Sequence, residues 1–494
     1  MNNPPKVNER YLTAYERMLG PFWGFLIPFS CVLILMVVTA VRSRYDEFYP
    51  IEITRPVEDD PLVELQPDDP PDPPEPPEQQ EVEITIDAPF VDDVKTEMVN
   101  PSPVVSDAPP SVKPAQADAV CMIKSPVTSN RALGGRDTGV RGTFLTGGPK
   151  AGDSRTEAAV LRALRWLKKN QRSDGSWAPQ PVANTALALL CYLAHGEKPG
   201  SREFGETVER ALDYLIGAQG ADPDGTMRFR GSDGNEYAFL LATYALAEAY
   251  GMTKHPDAKT AAEKGMRRIL AGQSRTGGWD YKLNRESTRD DLSYAGWALQ
   301  ALKACKLAGL GDEELELCIK KSVHCLAKRN FTDGGFNYIA GGKATGLTAT
   351  GCLAMQLLGF GDRGEVAASL DTMREWRPTF AKDDLKVAGA TAGLCPQYYC
   401  YYATQCKYQS GMAKDAAKKD VESWTAWNAQ MKRLYPDTII VPDEKIEGPD
   451  GRLHEIGYWK NTDAHGAGDV MSTCLCALQL MVYYRYLPTT VVGR

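Results

Sequence analysis

From Ser154 to the C terminus, hydrophobic and polar positions alternate between two templates. The first segment keeps Val160, Leu161, Leu164 and Leu167 on one stripe and puts Arg162, Arg165, Lys168 and Lys169 elsewhere, which predicts a surface-lining helix. Residues 182–195, VANTALALLCYLAH, are apolar almost all round, which predicts a helix covered on both sides. The pairing recurs, predicting helices over 204–219 and 236–251, 258–273 and 290–309, 312–329 and 345–359, 364–376 and 388–410, and 418–434 and 467–487. Six hairpins are the number for one closed α6/α6 toroid, with the apolar helices as an inner ring and the amphipathic ones outside. Closure removes the ends that an open solenoid has to cap. The expected fold class is all-α, with Ser154-Arg-Thr-Glu157 as a capping box where it begins.

Two of the amphipathic helices end in one phrase, Gln171-Arg-Ser-Asp-Gly175-Ser-Trp177 and Gln273-Ser-Arg-Thr-Gly277-Gly-Trp279, and a degraded copy follows at Asn330, Gly334 and Phe336. The Gly can take the positive φ that stops a helix, the aromatic covers the turn, and Gln can bond backbone groups left open there. Those are fold-building tasks and carry no chemistry. The phrase resembles the QW motif of squalene and oxidosqualene cyclases, a family related in fold to the β subunits of protein prenyltransferases. The resemblance covers residues 155–487 and implies the same toroid.

Upstream the character of the chain changes. After a short segment, 1–21, residues 22–41 form an uncharged run of 20, long enough to cross a hydrocarbon core as one helix with Trp23 at an interface. An uncleaved anchor is the expectation, with Val38-Thr39-Ala40 as the cleavage site of the alternative, a signal peptide. Lys6, Arg10 and Arg17 before the run are matched by Arg42, Arg44 and Arg55 after it, so charge does not orient it. Residues 42–153 read as a disordered tether. Within it, residues 46–110 hold 19 Asp or Glu against only Arg55 and Lys95, a local charge of −17 that leaves +9 for the rest of the chain. The run from Pro67 to Pro77 is almost entirely Pro, Asp and Glu, too poor in aromatics to bury a core. At a polyproline-like rise the tether reaches on the order of 200 Å. A Gly-rich strap between Gly134 and Gly152 joins it to the folded domain, 154–494. A span followed by a Pro- and acid-rich stretch resembles TonB-type energy transducers, which implies a single-pass protein of the bacterial inner membrane with the toroid in the periplasm.

Prenyltransferase β subunits hold zinc with Asp, Cys and His, the first two in an Asp-x-Cys phrase and the His on the last inner helix. The matching phrases here are Asp290-Asp291-Leu292 and Asp469-Val-Met-Ser472, with Leu292 and Ser472 where the resemblance requires Cys and His. An aliphatic side chain supplies no donor, so neither zinc nor another cofactor is expected. Class II terpene cyclases protonate a polyene from a D-x-D-D phrase. Thr288-Arg-Asp290-Asp291 keeps its last two Asp, which makes Asp290 the candidate acid and Asp291 its support. The plainer role for both is to cap the following helix.

Trp279, Tyr281, Tyr294, Trp297, Tyr398 and Tyr402, with Asp469 and Ser472, are the candidate ligand-binding residues at the inner ring, although aromatic stripes on buried helices usually form core. The 12 Cys are expected to be buried small hydrophobes, and nothing pairs basic runs with aromatics as nucleic-acid binding would need. The leading expectation is a membrane-anchored toroid that binds an apolar ligand, peptide or envelope protein without turnover. The alternatives are a divergent isoprenoid cyclase, an isomerase acting through Asp290, and a component of a TonB-like transport assembly.

Overall fold

The computed structural model describes residues 134–136, 141–146, 148–221, 227–230, 236–381, 386–387, 390–391, 396–461 and 468–486. The expected anchor at 22–41 and the acidic tether lie outside them. Among the described residues no helix is long and apolar enough to cross a membrane.

Twelve helices realise the alternation. The amphipathic set is α1 (Ser154–Lys169), α3 (Gly205–Ala218), α5 (Pro256–Ala271), α7 (Glu313–Cys325), α9 (Gly364–Thr372) and α11 (Lys418–Thr438). The apolar set is α2 (Pro181–His195), α4 (Glu236–Thr253), α6 (Leu292–Leu307), α8 (Thr348–Leu357), α10 (Pro396–Gly411) and α12 (Gly468–Leu480). Each apolar helix packs on the next, from α2 through α4, α6, α8 and α10 to α12, and α12 packs back on α2. That closed adjacency is the inner ring of an α/α toroid. The outer helices lie on it, with the last, α11, against the first, α1. Almost every side chain of α2 is buried, whereas α1 leaves Arg162, Lys168 and Lys169 at least partly exposed; Arg165, expected off the buried stripe, is buried instead, because it pairs with Glu203 at 2.7 Å.

The Gln-to-aromatic phrase ties neighbouring hairpins together. Gln171 Nε2 donates to the carbonyls of Gly175 and of Thr207 in the next outer helix, both at 3.0 Å, and Trp177 Nε1 donates to Leu167 O at 2.8 Å. Gln273 repeats this with Gly277 and Cys318, each at 2.9 Å, and Trp279 with Ile269 O at 2.9 Å. Gly277 sits at φ +97°, where a Cβ would collide with Lys321 O.

Two further copies appear in the structure that the sequence hides. Gln219 Nε2 reaches Ala261 O in the next outer helix at 2.9 Å, and the matching buried aromatic, Phe229, stands opposite it as the two end an inserted hairpin of β1 (Gln219–Ala221) and β2 (Met227–Phe229). Trp459 Nε1 donates to Tyr435 O of α11 at 3.0 Å, displaced from its helix by the hairpin of β7 (Lys445–Glu447) and β8 (Leu453–Glu455). Two shorter hairpins, β3 (Phe331–Thr332) with β4 (Gly335–Phe336) and β5 (Lys386–Val387) with β6 (Ala390–Thr391), precede α8 and α10. The last explains why α10 starts at Pro396 and not at 388. The aromatic's own N–H is held by a Thr hydroxyl early in the following inner helix: Trp177 by Thr185 at 3.2 Å, Phe336 by Thr348 at 3.1 Å and Trp459 by Thr473 at 3.1 Å.

Three further features differ from the sequence reading. The capping box lies one residue earlier, because Asp153 Oδ1 accepts the Thr156 N–H at 2.9 Å while the Thr156 hydroxyl meets the Asp153 N–H at 3.0 Å. The final helix breaks at Met481 into α12 and the single turn α13 (Val482–Arg485). Finally, the described parts of the Gly-rich strap are docked on the toroid and not free of it. Trp424 Nε1 holds Lys150 O at 3.0 Å, and Asn428 Nδ2 holds Pro149 O at 2.8 Å and Ala151 O at 3.1 Å.

Candidate functional site

Outer-to-inner connections carry the long loops, and because every inner helix follows an outer one they gather at the N-terminal ends of the inner ring. Asp291 caps α6 there: its Oδ1 accepts the Tyr294 N–H at 3.2 Å and the Ser293 hydroxyl at 2.6 Å. Its Oδ2 takes Arg289 Nε at 3.2 Å. Around this cap four hydroxyls converge. Tyr237 Oη lies 2.9 Å from Tyr281 Oη and 2.8 Å from Ser293 Oγ, and Tyr281 Oη lies 2.7 Å from Tyr338 Oη. Arg289 Nη2 donates to Tyr338 Oη at 3.2 Å, and its guanidinium stands 5.4 Å from the Tyr338 ring centre and 5.7 Å from that of Tyr281.

Burial raises the pKa of Tyr237 to about 12 and raises Tyr281 and Tyr338 as well. At neutral pH the mouth therefore presents neutral phenols and one guanidinium. Such groups donate and orient; they do not act as bases.

Below the mouth the bore is filled. Trp297 stacks on Tyr401 with centroids 5.6 Å apart and meets Tyr398 and Tyr402 edge-on at 6.3 and 5.8 Å. A hydrogen-bonded series runs down this core. Tyr398 Oη donates to Ser293 O at 3.3 Å and lies 3.4 Å from Tyr402 Oη, which takes Gln300 Nε2 at 3.3 Å. Gln300 Oε1 accepts from Tyr401 at 2.8 Å, Arg485 donates to Tyr401 at 3.1 Å and to Tyr244 at 2.7 Å, and Tyr244 pairs with Tyr486 at 2.7 Å. Tyr486 then bonds Glu248, which is paired with Arg136 at 2.8 Å. This is a side-chain axle and not a chamber, in which the hydroxyls, Gln300 and Glu248 bond one another while Arg485 Nε is buried with no hydrogen-bond partner.

Of the residues expected to bind ligand, Tyr281, Tyr294, Trp297, Tyr398 and Tyr402 are brought together here. Tyr281 and Tyr398 reach the mouth, while Tyr294, Trp297 and Tyr402 are buried beneath it. Trp279 is fully enclosed at the helix turn behind α6, with its indole N–H bonded to Ile269 O. Asp469 accepts the Asn461 N–H at 2.7 Å at the start of α12, and Ser472 is buried within that helix.

Asp290 is not a helix cap, which corrects half of the capping assignment. It holds φ +46°, turning its side chain away from α6 and back to the Gln273–Trp279 turn. Its Oδ1 accepts from the hydroxyls of Ser274 and Thr276, and Oδ2 from Arg329 Nε at 2.5 Å. Both oxygens are acceptors, within a cluster that joins α5, α6 and α7 from outside the bore.

Tyr237, Ser293, Arg289 and Tyr338 were not anticipated from the sequence. Arg289 stands immediately before the Asp pair, and Tyr338 two residues after Phe336 of the degraded phrase. Among the described residues no group of three His, Cys, Asp or Glu is placed to hold a metal ion, and all nine described Cys are buried and unbridged. A groove of about 520 Å³ lined by Lys306, Asp312, Glu316, Leu317 and Lys320 lies at the α6–α7 turn, at the other end of α6 from Asp291.

No family model matches this chain, and no curated protein does. Among solved structures it is similar to the GH76A alpha-1,6-mannanase from Salegentibacter sp. HEL1_6, at 14% identity over 67% of this chain and 98% of that one with a TM-score of 0.46. It is also similar to cellobiose 2-epimerase from Spirochaeta thermophila DSM 6192, at 12% identity over 67% and 96% with a TM-score of 0.48. At these values the likeness bears on neither chemistry nor ligand.

Proposed function

We propose that this chain is a membrane-tethered binding protein whose toroid engages a peptide or protein partner at the Tyr281, Tyr338 and Arg289 mouth, without turnover. One observation carries the reading: the bore is occupied by its own bonded side chains, while the mouth leaves Tyr338 and Ile339 exposed at 37% and 38%. A cyclase needs a chamber for its polyene and an acid facing it. A partner segment needs only a surface with an apolar contact and oriented donors. Ile339 and the tyrosine faces supply the first, and the phenols and Arg289 the second, in the combination of aromatic and Arg anchors that dominates binding energy at interfaces. The filled bore moves the expected ligand from a buried apolar molecule to one that lies across the ring.

The test is a photoreactive amino acid placed at Ile339 in cells, with Leu453, 68% exposed on β8, as the control position. A discrete crosslinked partner at position 339 and none at 453 is expected, and Tyr338→Ala should lower the yield about tenfold or more. Equal labelling at both positions would sink the mouth as a site. A cyclic product formed from squalene or a shorter polyprenyl substrate, and abolished in Asp290→Asn, would overturn the non-catalytic reading.

A further inference from the structure

The end of the bore away from the mouth is closed by two distant parts of the chain. Arg485 and Tyr486 come from the C-terminal turn, and Arg136 from the strap. Arg136 is 2% exposed, and each of its three guanidinium nitrogens has a hydrogen-bond partner. Nη1 and Nη2 donate to the two Glu248 oxygens at 2.8 and 3.3 Å, Nε donates to Arg485 O at 2.9 Å, and the guanidinium lies 5.0 Å from the Tyr486 ring centre. A carboxylate taken end-on by both Nη atoms, a carbonyl and an aromatic face together form a guanidinium socket.

The other described parts of the strap are held in the manner of a bound peptide, by toroid side chains on their backbone and by Arg141 on toroid backbone. Arg141 donates to His195 O, and Trp424 and Asn428 hold the carbonyls of Pro149, Lys150 and Ala151. Gly196, at φ +92°, ends α2 where a Cβ would strike Arg136 O, so the toroid leaves room for the strap to pass. The described parts of the strap add only 3-10 turns at Gly134–Arg136, Gly142–Leu145 and Gly148–Lys150, and the inner ring closes without them.

We propose that the strap is a detachable intramolecular ligand of the toroid, an arginine-bearing peptide seated in the Glu248, Arg485 and Tyr486 socket. The inference does not depend on what binds at the mouth.

Hydrogen exchange of the detergent-solubilised full chain tests it. In Arg136→Ala, amides of the strap should exchange at least tenfold faster while those of the twelve helices keep their protection. Arg136→Lys keeps a positive charge beside Glu248 and loses the bidentate pairing, so it should show the same local change to a smaller degree. Loss of protection throughout the helices in both variants, or failure of both to fold, would make the strap part of the fold and overturn the proposal. An unchanged strap in Arg136→Ala would overturn it from the other side.

Discussion

Asp290 and Asp291 are adjacent carboxylates with different work, and the backbone separates them. Asp291, in extended backbone, turns inward to cap α6; Asp290, at positive φ, turns outward to Arg329. Asp290→Asn keeps an acceptor and a residue tolerant of that φ but removes the charge, and should cost about 1–2 kcal/mol; Asp290→Ala should cost about 2–3 kcal/mol. Thermal or urea unfolding of both variants checks the order, and an Asn variant as stable as the parent would contradict the ion-pair role. His195 is the second informative residue. Its Nδ1 lies 2.8 Å from Glu197 and its Nε2 3.0 Å from Glu157, so both nitrogens must carry protons to donate. Burial opposes the charge, as does nearby Arg141, but the hydrogen bonds to Glu157 and Glu197 raise the pKa overall. A raised folded pKa means a contribution present in full below the unfolded value near 6.5 and lost as pH rises through the folded value. The thermal midpoint should therefore decline as pH increases above about 6.5, and His195→Gln should flatten that decline. A midpoint with the same pH dependence in both proteins would refute it.

At the scale of elements, the Gln-to-aromatic turn is the unit that links one hairpin to the next. Gln273→Ala would remove the side-chain donor of the Gly277 carbonyl and the tie to Cys318 O, which keeps the Ser322 hydroxyl, and should destabilise by about 1–3 kcal/mol. Gly277→Ala meets both a positive φ and Lys321 O, and should cost more than about 1 kcal/mol. Denaturant melts would expose the error if either change were neutral. Two copies of this turn were legible because their Gln and Trp stand six residues apart. The copies at Gln219 with Phe229 and at Trp459 were not, because β-hairpins inserted between helix and aromatic break the spacing while leaving the three-dimensional contacts in place.

At the scale of the whole molecule, the toroid has two unlike ends: a tyrosine and arginine mouth, and a closed end where Arg136 enters. The acidic, Pro-rich stretch before the strap motivates a periplasmic location for the toroid. A reporter fused after Arg494 should be active only when exported, and cysteine labelling of Cys121 should proceed in intact cells whose outer membrane has been permeabilised. Activity of the fusion only in the cytoplasm would reverse the orientation.

Helix count, the inner and outer roles, and the toroid itself were written in the sequence, because burial on one side or both dictates local composition along each helix. The same local rule marked Asp291 as a cap and Tyr398 as a residue of the inner ring. Whether the ring encloses a chamber was a different kind of question. It depends on how Trp297 of α6, Tyr401 and Tyr402 of α10, Tyr244 and Glu248 of α4 and Arg485 beyond α12 fill one shared space. No one of these segments carries that information. The outward turn of Asp290 and the seating of Arg136 likewise depend on partners 39 and 112 residues away, Arg329 and Glu248. Side-chain volume and charge are local properties of a sequence, whereas the filling of a bore is a sum over all six hairpins, and only the closed ring could decide it.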